Sequence, residues 1–247
     1  MNENRKLPDL LSLHGRVAMV TGGSGGIGVA IVTRLVQSGA SVVSVDLPGR
    51  SHVEGVEALS CDVSDSSATA ELFEQVSARF DRLDVLVHCA GITRDAVLWK
   101  MDDQAWSSVL HVNLDSAFHL IKRAVPLMRR GDGGSIVLVS SINGERGKFG
   151  QANYAASKAG LTGLGRTAAR ETGRFGIRVN ILAPGWIDTA MTEPLGAELR
   201  QQAMDGSALG VTGKPDDVAR AALFLATPMS RHVTGQLLRV DGGQLMA

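Results

Sequence analysis

The sequence predicts an α/β fold, a single doubly wound parallel sheet of about seven strands with helices on both faces. Three observations predict it. Short runs rich in Val, Ile and Leu are continuously apolar rather than alternating, as strands buried on both faces must be. Segments of helical period separate these runs, and the alternation repeats about six times along the chain. Glycine or proline stands at most of the joins, at Gly39, Gly91, Gly133, Gly176 and Pro184, where the chain must turn.

Taken in order, the first strand is the apolar run 17–21, followed by a glycine cluster and a helix over 27–37 that closes at Gly39. Strands at 41–46 and 57–62 each end on an aspartate, Asp46 and Asp62. A helix over 66–80 leads to a strand at 85–90, which runs into Gly91. Long helices over 106–129 and 152–174 feed strands at 135–141 and 178–183, across Gly133 and Gly176. The stretch from Thr189 to Gly213 is longer than a usual connection, so a lid-like excursion is expected there. A helix over 215–225 and a strand at 236–241 complete the pattern. No linker, repeat or low-complexity tract interrupts it, and 247 residues suit one domain over 1–247.

Composition narrows the function. Lys and Arg total 25 against 25 Asp and Glu, so no basic excess exists to neutralise phosphates and nucleic acid is not an expected partner. At 44% hydrophobic and 20% charged residues, the composition is globular. Glycine, at 29 residues, is well above the usual share of about 7%, which means tight turns or close backbone approach to something. The two cysteines, Cys61 and Cys89, are far from CxxC spacing and are expected to be reduced thiols. No apolar run is long enough to span a membrane, and the polar stretch from Met1 to Arg16 has no signal-peptide core. The expected setting is the cytoplasm. The six histidines show no metal-ligand spacing, so no metal is expected, and His88 at a strand end is expected to be packed and satisfied.

Directly after the first strand comes Thr21-Gly22-Gly23-Ser24-Gly25-Gly26-Ile27-Gly28, opening a helix. Glycines let the backbone approach a pyrophosphate, while a helix N-terminus offers free N–H groups and a favourable dipole. Gly22, Ser24, Gly25, Gly26, Ile27 and Gly28 are therefore candidates for nucleotide contact. A tight strand–helix turn alone would also use glycine. Asp46 stands 18 positions after Gly28, where a carboxylate can accept from both adenosine ribose hydroxyls, which favours NAD. Against a 2′-phosphate about 4 Å away it would cost roughly 1–4 kcal/mol, or about five-fold to several-hundred-fold in preference. No Arg or Lys stands in the glycine loop; Arg50 is near enough in sequence to welcome NADP instead. Asp62 and Val63 are placed to meet the adenine, or simply to end a strand.

Ser140-Ser141-Ile142-Asn143-Gly144 closes the fifth strand, and Tyr154-Ala155-Ala156-Ser157-Lys158 follows on a helix. A spacing of four puts Tyr154 and Lys158 on one helical face. An ammonium near a phenol favours phenolate and is expected to lower the phenol from about 10 towards the working range. Tyr154, the only tyrosine, then becomes a usable proton donor to a carbonyl or acceptor from an alcohol.

With these residues assembled, the chain resembles the short-chain dehydrogenase/reductase family over essentially its whole length. The likeness rests on Thr21-Gly22…Gly26-Ile27-Gly28, Asp62-Val63, Ala90-Gly91, Asn113, Ser141, Tyr154…Lys158 and Pro184-Gly185…Thr189. It implies a Rossmann-type fold, with Tyr154 as acid/base and Ser141 hydrogen-bonding the substrate oxygen. It further implies that Lys158 holds the nicotinamide ribose and assists Tyr154, and that Asn113 anchors a water relaying protons to Lys158. Cys89, Ala90, Gly91, Pro184 and Gly185 would line the cofactor, with Ile187 and Thr189 at the carboxamide. Within the family, four stretches resemble 3-oxoacyl-(acyl carrier protein) and acetoacetyl-CoA reductases: 91–95, 150–155, 183–192 and the tail around 233–243.

The chain departs from that pattern in three places. The family's Asn-Asn-Ala-Gly is His88-Cys89-Ala90-Gly91, replacing an amide that braces the sheet with a thiol. Gly25 stands where NADPH-preferring acyl-carrier reductases carry Arg. The turn Arg129-Arg130-Gly131-Asp132 is only partly basic, which favours a CoA thioester or compact ketone over a carrier protein. The leading expectation is thus NAD(H)-dependent reduction of a 3-oxoacyl thioester. The competing ones are an NAD-dependent dehydrogenase of a small secondary alcohol, polyol or cyclic ketone, and a non-catalytic nucleotide sensor. Trp186, Met191 and Met204 are candidates for an apolar acyl pocket. Small residues along the helix from Ala152 (Ala155, Ala156, Ala159, Gly160, Gly163) permit close helix approach, within one chain or across a homotetramer.

Overall fold

The computed structural model describes residues 6–246, so the first few residues of the polar N-terminal stretch fall outside it. A short helix, α1 (Leu7–Leu11), leads to β1 (Val17–Thr21), which is buried at every position. α2 (Gly26–Gln37) springs from the glycine turn, buries Ile31, Val32 and Leu35 along one stripe, and delivers the chain to β2 (Ser41–Asp46). β3 (Glu57–Ser60) precedes α3 (Ser66–Phe80), whose first turn is capped by the Asp65 carboxylate accepting from Ser67 and Ala68 N–H. β4 (Val85–His88) is followed by α4 (Asp103–Leu110) and α5 (Ser116–Met128). Then come β5 (Gly134–Val139), α6 (Asn143–Arg146), α7 (Ala152–Thr172) and β6 (Ile177–Pro184). α8 (Gly196–Asp205), α9 (Pro215–Ala226) and β7 (Leu237–Val240) complete the order.

The sheet has seven strands in the order β3-β2-β1-β4-β5-β6-β7, every neighbouring pair parallel. The chain therefore winds outward from β1 through β2 to β3, returns beside β1 as β4, and winds outward the other way. All strand carboxyl ends share one edge, and the crevice between β1 and β4 is where the winding reverses. One face of the sheet is covered by Leu72 and Phe73 of α3, Leu120 and Ile121 of α5 and Leu161 of α7. The other is covered by Ile31 and Leu35 of α2 and Val218 and Leu225 of α9. This is the expected doubly wound architecture. No helix among the described residues is long and apolar enough to cross a membrane.

Boundaries differ where the site lies. The strands expected to run to 62, 90 and 141 stop at Ser60, His88 and Val139, and the chain beyond each peels away as loop. The helix expected over 106–129 begins earlier, at Asp103, because the Asp102 carboxylate caps it by accepting from Ala105 N–H at 2.6 Å. It is also interrupted by one π-helical turn, His111–Asp115, which holds Asn113. The excursion expected at 189–213 contains α8, a helix with no buried residue.

Candidate active site

At the reversal crevice the glycine turn is bare for steric reasons. Gly22 has φ +69°, and a Cβ there would stand 2.7 Å from the Ala90 nitrogen. A Cβ at Gly28 would collide with the Gly22 carbonyl, and one at Gly26 would stand 3.0 Å from the Thr189 Cγ2. The turn is thus folded onto itself, onto the 89–91 loop and onto the segment after β6. Ile27 anchors the start of α2 by packing against the core. Gly25 precedes α2 with extended backbone, and the only atom near an added Cβ is the Gly22 oxygen at 3.4 Å.

Asp46 closes this turn from β2. Its carboxylate accepts from Ser24 N–H at 3.0 Å and Leu47 N–H at 2.8 Å. The Ser24 hydroxyl itself is buried without a hydrogen-bond partner. An orphaned buried hydroxyl costs about 1–3 kcal/mol, and beside a bare helix N-terminus it fits the oxygens of a nucleotide. Val63 is buried, whereas one Asp62 oxygen caps its own turn, accepting from Ser64 N–H at 3.0 Å and the Ser64 hydroxyl at 2.7 Å.

The expected reacting residues gather at the same edge. Lys158 is 4% exposed; its Nζ donates to the Val139 carbonyl at 2.8 Å and lies 5.6 Å from the Tyr154 ring centroid. Gly91 sits between Lys158 and Asn113, since an added Cβ would meet Asn113 Oδ1 at 3.2 Å and Lys158 Nζ at 3.3 Å. Asn113 is fully buried: Oδ1 accepts from Ile92 N–H at 2.8 Å, and Nδ2 donates to the Ile92 carbonyl and the Ser157 hydroxyl, both at 3.0 Å. Ser141 Oγ accepts from Asn143 N–H at 3.2 Å. Its turn is pressed onto α7, because a Cβ at Gly144 would stand 2.8 Å from the Lys158 backbone. Half-buried Cys89 donates its N–H to the Thr21 carbonyl at 3.1 Å. The Pro184 carbonyl accepts from Ile142 N–H and Gly185 N–H donates to the Val240 carbonyl, each at 3.1 Å. Ile187 is buried, and Thr189 N–H donates to the Thr192 hydroxyl at 2.9 Å.

The electrostatics correct one expectation. Burial pushes the Tyr154 phenol up to about 12, although a hydrogen bond with Ser141 pulls the other way. Burial also lowers the Lys158 ammonium to about 8. Desolvation opposes the charged form of both groups, and one of the three Lys158 Nζ donors is taken by the Val139 carbonyl. The protein's own groups therefore do not bring the phenol into the working range.

His88 is packed and satisfied, as expected, and its surroundings fix its tautomer. The Ser116 hydroxyl donates to the Val112 carbonyl at 2.5 Å, so towards His88 Nε2 at 3.2 Å it can only accept. Nε2 therefore carries the proton and also reaches the Asn113 carbonyl at 3.4 Å, while Nδ1 accepts from the Thr21 hydroxyl at 2.9 Å. Burial, with Lys158 nearby, lowers the imidazole to about 3. The neutral His88 thus ties β1 and β4 to the π turn, beside the position where the Cys89 thiol replaces the family's bracing amide.

A cleft of about 140 Å³ opens beside Tyr154 and Ser141, with Trp186, Met191 and Leu195 among its walls. Met204 does not line it; its sulfur instead takes an Arg200 N–H at 3.4 Å. One rim is a chain of oriented bonds that the sequence reading did not single out. Arg146 Nε donates to Asn143 Oδ1 at 3.1 Å, Asn143 Nδ2 to Gln151 Oε1 at 3.1 Å, and Gln151 Nε2 to Asp95 Oδ2 at 2.9 Å. Asp95 and Gln151 fall inside the stretches that carry the resemblance, but nothing in their spacing foretells the bond. On α7, a Cβ at Gly160 would meet Leu114 at 2.7 Å, so that glycine serves packing within the chain, whereas Gly163 faces open space.

Comparison with known proteins agrees with this geometry. Residues 22–244 match the family model described as enoyl-(acyl carrier protein) reductase. A 3-oxoacyl-(acyl carrier protein) reductase of Thermotoga maritima is 42% identical over 243 residues, 94% of this chain and 99% of that protein. An acetoacetyl-CoA reductase of Allochromatium vinosum is 37% identical over 94% of this chain and 99% of its own length. A (3R)-3-hydroxyacyl-CoA dehydrogenase of Rattus norvegicus is 41% identical, over 96% of this chain and 98% of its own. The solved structure of a short-chain type dehydrogenase/reductase from Mycobacterium ulcerans superposes with TM-score 0.88 at 32% identity, covering 94% of this chain and 90% of that one. The sequence likeness spans the reversal crevice, its bare glycine turn and the lone tyrosine beside a buried lysine: the chain belongs to the short-chain dehydrogenase/reductase family and is an oxidoreductase acting on CH–OH groups with a nicotinamide cofactor.

Proposed function

We propose that this enzyme is an NAD(H)-dependent reductase of 3-oxoacyl thioesters, of the acetoacetyl-CoA or acyl-carrier type, working on the CoA thioester in preference to the carrier protein. The observation that carries the reading is that Ser141 and Tyr154 line one cleft, with the buried Lys158 Nζ 5.6 Å from the Tyr154 ring centroid, at the same sheet edge as the glycine turn closed by Asp46. The small cleft suits a short 3-oxoacyl group.

A bound nicotinamide supplies or accepts the hydride, and its oxidised ring carries a positive charge. Gly22, Ser24, Gly25, Gly26, Ile27 and Gly28 would hold the pyrophosphate and ribose, with Asp46 at the adenosine hydroxyls, Asp62 and Val63 at the adenine, and Cys89, Ala90, Gly91, Pro184, Gly185, Ile187 and Thr189 along the rest. Ser141 donates to the carbonyl oxygen and orients it. Tyr154 delivers its proton to that oxygen as negative charge develops there. Lys158 holds the nicotinamide ribose and, as the ammonium nearest the phenol, stabilises phenolate. Asn113, pinned in the π turn, anchors the path by which Lys158 is resupplied with protons. In the oxidative direction each proton moves the opposite way. Preference for NAD rests on Asp46, whose carboxylate would face a 2′-phosphate, and on the absence of a cation at Gly25. We propose a homotetramer, for which the exposed small face of α7 at Ala156, Ala159 and Gly163 gives room for a neighbouring chain.

A substrate panel tests the reading against the alternative of a small alcohol, polyol or cyclic ketone. Turnover of acetoacetyl-CoA, with free alcohols ignored, is the expected result; turnover of polyols or cyclic alcohols alone contradicts it.

A further inference from the structure

Asp188, between Ile187 and Thr189, is the most heavily bonded carboxylate near the cleft. Its Oδ1 accepts from Trp186 Nε1 at 3.1 Å and Arg200 Nε at 3.2 Å. Its Oδ2 accepts from Arg200 Nη2 at 2.9 Å, the Thr212 hydroxyl at 2.9 Å and Lys214 Nζ at 2.7 Å. Two carboxylate oxygens offer about four lone-pair sites, so five donors saturate them. Thr212 is itself oriented, accepting from Arg200 Nη2 at 2.9 Å. Arg200 first, and Lys214 with it, hold the carboxyl far below the usual carboxylate range.

The donors come from separate parts of the molecule. Trp186 is a wall of the cleft, Arg200 is the middle of α8, and Thr212 and Lys214 lead into α9. α8 has no buried residue to hold it, and its other side-chain tie to the body is Gln244 Nε2 donating to the Ala203 carbonyl at 3.2 Å. Yet Met191, Leu195 and Ala203, on and before this helix, line the cleft. A helix whose apolar contact is limited to the partly buried Ala203 and Met204 leans on its polar contacts to stay in place. The Arg200 bridge is bidentate and shares its carboxylate with a second cation, the geometry in which a partly exposed ion pair is worth most.

We propose that Asp188 is a positioning residue that fixes the lid helix α8 and the Trp186 wall as one unit, so that the cleft is preformed for the acyl substrate. The inference rests on the thioester reading above for its substrate. When only part of the population has the lid in place, apparent affinity falls by that fraction while bound substrate reacts as before. The node therefore governs KM rather than kcat.

The test uses Asp188→Asn and Arg200→Gln in the full-length enzyme. Asp188→Asn should raise KM for acetoacetyl-CoA about tenfold, lower kcat by less than about threefold and leave the Kd of the nicotinamide cofactor within about twofold. Arg200→Gln, at an exposed position, should move KM in the same direction, and the double variant should be no worse than Asp188→Asn alone because both remove one interaction. Amide hydrogen exchange across 196–205, measured without substrate, should quicken in both variants. This readout does not depend on the substrate's identity. If the wild type ignores acetoacetyl-CoA, the thioester reading fails and exchange alone decides the node. Unchanged exchange over 196–205, KM effects that simply add, or a loss confined to kcat would overturn the proposal.

Discussion

Tyr154 and Lys158 stand one helical turn apart in surroundings that oppose both of their charged forms, the phenol at about 12 and the ammonium at about 8. A phenol held neutral is suited to giving up its proton only when a partner gains negative charge, which is the state a carbonyl oxygen enters during reduction. Tyr154→Phe should therefore lower kcat by about 10²–10⁴-fold while the cofactor Kd changes by less than about twofold; retained turnover would show that another group moves the proton. His88 gives a prediction in stability. It is neutral in the folded chain down to about pH 3, whereas an unfolded imidazole takes up a proton below about 6.5. The unfolded state thus binds more protons below pH 6.5, and stability falls as pH falls from there towards 3. By pH 5 the loss from this residue is about 2 kcal/mol. Thermal melts of the wild type should drop more between pH 7 and 5 than those of His88→Asn, and equal drops would contradict the neutral assignment. Tyr154 and Lys158 were legible in the sequence because the pair is local, four residues apart on one helix. The bond from Thr21 to His88 and the Asp188 node join residues far apart in the chain, and no spacing rule reaches them.

The glycine turn, a strand end and a helix start act together, so cofactor choice belongs to the element rather than to one side chain. Asp46 is held by Ser24 and Leu47 N–H, which aims the carboxylate at the turn, and the space at Gly25 is open. The pair Gly25→Arg and Asp46→Ser removes the negative charge and adds a positive one. It should raise the ratio of kcat/KM for NADPH over NADH at least about tenfold, inside the roughly five-fold to several-hundred-fold span of one charge contact between bulk water and an effective dielectric near 20; an unchanged ratio would detach Asp46 from the choice. Gly28→Ala should abolish cofactor binding or folding, since its Cβ has no room against the Gly22 carbonyl. Strands β1 and β2 were readable to the residue because they are valine-rich runs buried on both faces and bounded by sharp turns. The π turn at Asn113 was not: inserting one residue into a helical turn leaves the apolar pattern on either side intact. α8 escaped for the opposite reason, having no buried face to impress a period on its sequence.

At the scale of the whole molecule, the reversal of winding between β1 and β4 brings together segments spread from Gly22 to Thr189. The two apolar faces of the sheet hold their helices independently, and the strand ends between them are free to carry loops. The alternation of apolar runs and helical segments was enough to read this architecture. The lid's attachment depends on polar contacts between distant segments and could be seen only in three dimensions. If four chains associate, sedimentation should show a species of four times 26.0 kDa; a monomer at micromolar concentration would remove the proposed assembly. The most direct test of the central claim is reduction of acetoacetyl-CoA by the purified enzyme, with NADH and NADPH compared in parallel through the loss of reduced-nicotinamide absorbance. Turnover with NADH well above NADPH is the predicted result. Faster turnover with NADPH would contradict the role given to Asp46, and no consumption of either cofactor would contradict the thioester substrate.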